Sequence, residues 1–267
     1  MKRIGIHKPT LEDVIEVSGV EMLHPGGLEL TRRSAEIAGM QPGMKVLDVS
    51  SGRGTLAILY TQEYGVEVTG LDLSEEMIKI ASSNALSKGL EGRVAFIQGD
   101  SQALPFSDNR FDVVINECAV GIPDDSQKVL DEMVRVVKPG GTIVIHESTW
   151  RKKLSDDEKT ELSERYGTTP LEYDEWMSML EKAGVTDIVS EFEEWSKPEM
   201  FWKLRAERDV RSFSEVLTLS ERLTTFKRIL GKYGIKGVIK AAENEKIVRR
   251  TILEEKVGYC LFKGIKG

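Results

Sequence analysis

Cysteine is nearly absent from this chain. Its 267 residues hold two, Cys118 and Cys260, too far apart to make a metal or redox spacing. Three histidines (His7, His24 and His146) form no zinc pattern. Long apolar runs are missing too: none reaches the ~18 residues a membrane helix needs. No signal-peptide pattern is seen, so the chain is expected to be cytoplasmic. Basic charge is not in excess. The net charge of −7 argues against a general nucleic-acid binder. No internal repeat or low-complexity tract occurs.

What remains is ordinary for a soluble globule, with 40% hydrophobic and 30% charged residues. The length suits one α/β domain with an elaboration, or two small domains. The charge is unevenly spread. Residues 199–253 carry 13 Lys/Arg against 7 Asp/Glu, a local +6, which leaves −13 for the rest of this −7 chain. A basic segment in an acidic protein is a modest signal for an anionic partner, and solvated helix faces give the same pattern.

Helical patterns are predicted at Leu11–Glu16, Gly27–Ala38, Thr55–Tyr64, Ser74–Lys88 and Ser126–Val137. Strands are predicted at Lys45–Val49, Val66–Leu71, Val94–Gln98, Phe111–Asn116 and Thr142–His146. This alternation argues for a parallel sheet with helices on both faces. Further on, helices are predicted at Asp156–Tyr166 and Thr169–Gly184, and strands at Val185–Trp195 and Val257–Lys263. Between those two strands, Pro198–Leu253 reads as amphipathic helix interrupted around Gly231, Gly234 and Gly237.

The most informative stretch is Lys45–Thr55. An apolar strand reaches Asp48, turns tightly around Gly52 and Gly54, and enters a helix at once. Glycine lets a ligand approach the backbone, and a helix N-terminus offers unpaired N–H groups to negative charge. An acid beside the turn suits an amine or a positive charge. A looser dinucleotide fingerprint, Gly52-Arg53-Gly54-Thr55-Leu56-Ala57 followed by Asp72, also fits a nicotinamide or flavin enzyme.

Asp48, Gly52 and Gly54 resemble motif I of the class I S-adenosylmethionine-dependent methyltransferases, with Ser50 in place of the first glycine. Three further segments carry the likeness in the same order. They are Gly70-Leu71-Asp72-Leu73-Ser74, then Asp100-Ser101-Gln102-Ala103-Leu104-Pro105-Phe106 with Phe111-Asp112, then Lys138-Pro139-Gly140-Gly141. A nicotinamide reading predicts no Asp100 segment. The resemblance covers residues 45–147 and extends to the quinone-biosynthesis type. It implies a seven-stranded Rossmann-like sheet, mostly parallel with an antiparallel last strand. A helical insertion would then lie between the last two strands.

The resemblance also implies roles. Asp48 with Ser50, Gly52, Gly54 and Thr55 would meet the methionine end of S-adenosylmethionine. Asp72, with Leu73 and Met77, would hold the ribose, and Asp100, Ser101 and Gln102 the adenine. Asn116 would lie beside the transferred methyl group. His24, Gly26 and Gly27 precede the first strand, where such enzymes often cover the cofactor. Paired glycines there could meet a carboxylate, or simply open a helix. Candidate catalytic bases are Glu117, His146 and Glu147, because strand C-termini border the ligand crevice. Arsenic methyltransferases are excluded, since they need clustered thiols.

The expected organisation is residues 1–40 covering the cofactor site, a core at 41–198, an insertion at 199–253 and a final core strand at 254–267. The insertion admits three readings: a lid with peripheral membrane contact for an apolar quinone- or lipid-like acceptor, steering of a small anionic metabolite, and a dimer interface. Monomer and homodimer both stay open. So does a non-catalytic protein that binds S-adenosylmethionine or S-adenosylhomocysteine as a regulator.

Overall fold

A computed structural model describes residues 8–21, 23–205 and 216–267. The part of the expected insertion at 206–215, with the apolar Phe213, lies outside the described residues. In chain order the elements are α1 (Leu11–Ser18), α2 (Gly27–Ala38), β1 (Lys45–Val49), α3 (Thr55–Tyr64), β2 (Glu67–Asp72), α4 (Glu75–Ser87) and β3 (Val94–Gln98). They continue with β4 (Phe111–Glu117), α5 (Ser126–Val136), β5 (Val137–Trp150), α6 (Asp156–Tyr166), α7 (Tyr173–Lys182) and β6 (Val185–Glu191). A 3-10 turn at Pro198–Trp202, α8 (Leu219–Leu253) and β7 (Val257–Lys266) complete the chain.

The strands form one seven-stranded sheet in the order β3-β2-β1-β4-β5-β7-β6. The pairs β3–β2, β2–β1, β1–β4 and β4–β5 are parallel, while β7 runs antiparallel to β6. This is the sheet anticipated from sequence. Strand position follows from side-chain burial. β1 and β4 are apolar and buried on both faces, as central parallel strands require, whereas edge strands β3 and β6 expose much of their length.

The chain divides into two compact units. The larger holds residues 29–147, 173–192 and 260–267, including β1 to β4, α3 to α5 and most of the sheet. The other gathers residues 1–28, 148–172 and 193–259. In that second unit α8 packs on α1 and α6. Buried Asn244 ties three parts of it together: its Nδ2 donates to the Pro9 carbonyl (2.8 Å), and its Oδ1 accepts from Arg165 (2.7 Å). Among the described residues, no helix is long and apolar enough to cross a membrane.

Several boundaries differ from the sequence reading. Lys138–Gly141 does not end α5 as a free turn. It bulges within β5, where Val137 pairs with Phe111 and Thr142 with Val113. The helix expected from Thr169 begins at Tyr173, because Leu171 is spent on a backbone bridge to Thr149. The interruption expected around Gly231, Gly234 and Gly237 is there: α8 breaks at Gly234 (φ 68°, ψ −174°) into two helical stretches.

Candidate functional site

The carboxyl ends of β1, β2 and β4 lie side by side, since Asp48 pairs with Gly70 and with Ile115. β1 runs straight into the glycine turn. Ser50 there adopts φ 66°, the left-handed region where a side chain is strained. That is the conformation for which a glycine would be used. Ser50→Gly is therefore expected to leave stability unchanged or raise it by up to about 1 kcal/mol, the strain relief offset by glycine's unfolded-state entropy. A thermal melt checks this. Gly54 caps α3 at φ 78°, and a Cβ there would lie 2.4 Å from Phe96 Cζ and 2.9 Å from Ala81 Cβ. Only glycine fits, so the helix start is pressed onto β3 and α4.

Asp72 fixes the turn from the next strand. Its Oδ2 accepts from the Gly52 N–H and its Oδ1 from the Ser74 N–H, each at 2.9 Å. Ser74 in turn caps α4 by accepting from the Met77 N–H. Thr55 opens α3, and Met77 is half-buried on α4, whereas the Leu73 side chain is 70% exposed.

Asp48 is buried, and its Oδ2 has no hydrogen-bond partner among the described residues. Burial, then the neighbouring Glu117 and Asp72 carboxylates, push its pKa well up. Ser51 Oγ and Asn116 Nδ2, two more buried polar atoms at these strand ends, likewise have no partner among the described residues. Asn116 spends its Oδ1 on the Ala119 N–H (3.0 Å). An acid, a hydroxyl and an amide left unsatisfied together mark a place where a polar ligand completes the bonding. The surplus of carboxylates calls for positive charge.

Glu117 ends β4, its side chain 2% exposed. Its Oε2 accepts from Thr31 Oγ1 at 3.0 Å and lies 3.1 Å from His146 Nε2. Its Oε1 accepts from the Tyr60 hydroxyl, which burial and the Glu117 charge drive well above the usual tyrosine pKa. Cys118 comes next with φ 63°, so the chain turns sharply away after the acid. Glu147, also buried, accepts from the Val120 N–H (2.6 Å) and so holds the loop after β4.

The Asp100 segment folds on itself. Asp100 is exposed, and its Oδ1 accepts from the Gln102 N–H (2.8 Å), while Ser101 is buried. Arg135 braces the loop at 104–108, donating to the Leu104 and Phe106 carbonyls and to Asp108, and it also pairs with Glu132 on its own helix. Those bonds hold its pKa above the ordinary arginine range.

In the second unit, His24 is buried and its ring stacks on Tyr259 at 6.3 Å. The Gly26 N–H donates to the Met200 carbonyl (2.8 Å) and the Gly27 N–H to the His24 carbonyl (3.1 Å). A Cβ on Gly27 would lie 2.6 Å from the Lys203 carbonyl oxygen, so close backbone approach accounts for this glycine.

Residues 40–184 match the methyltransferase-domain family. The chain belongs to that family. Its core is the class I S-adenosylmethionine-dependent domain, which sets aside the nicotinamide reading of the Gly52 turn. Among curated relatives, the ubiquinone/menaquinone biosynthesis C-methyltransferase UbiE of Idiomarina loihiensis is 36% identical over 118 residues, which are 43% of this chain and 47% of that protein. The chain thus spans about half the length of the curated relatives it matches. Two solved structures share the fold. The cyclase SpnF has a TM-score of 0.69 at 23% identity, covering 89% of this chain and 79% of that one. Haemonchus contortus phosphoethanolamine N-methyltransferase 2, in complex with S-adenosyl-L-methionine, has a TM-score of 0.69 at 22% identity, covering 96% of this chain and 57% of its own. A cyclase on the same fold shows that architecture alone does not fix chemistry.

Thr31, Tyr60, Ser51 and Arg135 carry no functional mark in the sequence. Thr31 and Tyr60 sit on helices, where a hydroxyl pointing inward looks like any other core position.

Proposed function

We propose that this chain transfers a methyl group from S-adenosylmethionine to a small acceptor that must give up a proton as it is methylated. The observation that carries the proposal is Glu117: a buried carboxylate at a strand end, fixed by two hydroxyls, with an imidazole nitrogen 3.1 Å away. A structural carboxylate would more cheaply be replaced by an apolar side chain. Held in one rotamer beside the ligand crevice, it serves as a general base.

The donor site fits the strand ends. Asp48 Oδ2, with the Asp72 and Glu117 charges nearby, answers a cationic ligand. Ser51 Oγ and Asn116 Nδ2 supply the polar contacts that their burial requires. Asp72 orients the Gly52 turn, and Asp100 with Gln102 offers acceptors on the flanking loop. When bound, S-adenosylmethionine supplies a methyl group on a sulfonium, already a good leaving group. The protein is left to align the acceptor, exclude water and take its proton. Thr31 and Tyr60 act as positioning residues that hold Glu117.

A neutral amine or a thiolate acceptor would need no base. A phenol or an acidic carbon would, and the C-methyltransferase named among the relatives points the same way. We therefore infer a weakly acidic, apolar, quinol-like acceptor. The test is incubation with methyl-labelled S-adenosylmethionine and a panel of phenols, quinols, amines and thiols. Label is expected in the phenol and quinol products, at a rate that rises with pH. Transfer confined to amines or thiols would contradict this reading.

A further inference from the structure

We propose that the first half of α8 docks the protein on an anionic lipid surface. Leu219, Leu223, Phe226 and Leu230 recur at spacings of four, three and four residues, which places them in one stripe along a helix. In a folded monomer such a stripe is expected to face the core. Here it faces outward: the four side chains are 79%, 63%, 44% and 39% exposed. The opposite side of the same helix is the packed one. Thr225 and Ile229 are buried, and Arg228 donates to the Val17 and Ser18 carbonyls at 3.2 and 2.8 Å, clamping the helix to α1 within its own unit. The exposed stripe is therefore not a displaced core face. Beyond the break at Gly234, Ile235 and Ile239 add two more exposed apolar side chains at helical spacing.

Charge selects the occupant. Between Glu221 and Glu243 the chain carries Arg222, Lys227, Arg228, Lys232, Lys236 and Lys240 and no acid, in a protein of net charge −7. Lys227 and Lys236 are exposed and have no ion-pair partner among the described residues. An exposed apolar stripe bordered by lysines is the pattern of an interfacial helix, which sinks its apolar side chains among acyl chains and sets its cations at the headgroups. Anionic headgroups would draw this segment while the acidic remainder of the protein is repelled. A second copy of the chain would instead bring like charges together. This inference does not depend on the methyl acceptor.

The test is co-sedimentation of the full chain with phosphatidylcholine vesicles, with and without phosphatidylglycerol, at low and high salt. Binding is expected only with phosphatidylglycerol, and it should weaken at high salt. The exposed double substitution Leu223→Ser with Phe226→Ser, and separately Lys227→Glu with Lys236→Glu, should each cut binding at least tenfold while circular dichroism stays unchanged. No binding to phosphatidylglycerol vesicles at low salt would overturn the proposal. So would equal binding by the variants. A wild-type dimer in sedimentation equilibrium that Leu223→Ser with Phe226→Ser turns into a monomer would show that a second copy covers the stripe, and would overturn it too.

Discussion

Glu117→Gln is expected to lower turnover by about 10²–10⁴-fold, the usual contribution of a general base, with a much smaller loss of S-adenosylmethionine affinity because the Asp48 and Asp72 charges remain. Glutamine keeps the size, and its one oxygen can still accept from one of the Tyr60 and Thr31 hydroxyls while its amide N–H donates to the other, but it cannot take a proton. The wild-type rate should fall on the acid side, where the carboxylate is protonated, and this limb should vanish in the variant. Tyr60→Phe provides the control. It removes one donor to the Glu117 carboxylate, and loss of a hydrogen bond to the charged form raises a carboxyl pKa. The acidic limb should therefore move to higher pH, with a smaller loss of rate at high pH. A merely structural Tyr60 would lower stability without moving that limb. The checks are single-turnover rates across pH with a phenolic acceptor, and a melt for each variant.

Asp48→Asn should separate binding from folding. Burial raises the Asp48 pKa, and the Glu117 and Asp72 charges raise it further. A carboxyl raised in the fold favours the folded state when protonated. Its contribution is thus fullest below its unfolded value of about 4 and is lost as pH rises toward the raised folded value. At neutral pH the free protein carries this burden, and asparagine removes it. The variant is expected to melt no lower than wild type, with any gain worth roughly 2–4 °C per kcal/mol. A cationic ligand reverses the balance by favouring the carboxylate. Affinity for S-adenosylmethionine should therefore rise with pH in the wild type, with protons released on binding. In Asp48→Asn it should fall at least 100-fold and lose that pH dependence. Calorimetric titration across pH measures both.

The glycine turn and its acids are far more legible in the sequence than the surroundings of Glu117, and the reason is local. Asp48, Gly52, Gly54 and Asp72 lie next to turns and strand ends, where backbone geometry dictates residue type over a few positions. Their spacing alone announces a strand, a tight turn and a helix. The environment of Glu117 is built from pairs distant in sequence: Thr31 is 86 residues away and Tyr60 is 57. A threonine on α2 and a tyrosine on α3 carry no local mark of that meeting. Arg135 is hidden in the same way, a helix cation whose partners are carbonyls of a loop about thirty residues earlier. The α8 stripe presents the opposite difficulty. Its periodicity is plain in the sequence, but periodicity does not say whether the apolar face points inward. Ser50, an anomaly in the glycine motif, becomes intelligible once its φ of 66° is seen: the turn keeps a glycine's conformation without the glycine.

The central claim is that the acid-lined carboxyl ends of β1, β2 and β4 hold S-adenosylmethionine. The most direct measurement is calorimetric titration of the wild-type protein with S-adenosylmethionine, and separately with NADH, in two buffers of different ionisation enthalpy. The account predicts one-to-one binding of S-adenosylmethionine with proton release and no binding of NADH. Binding of NADH with none of S-adenosylmethionine would contradict it.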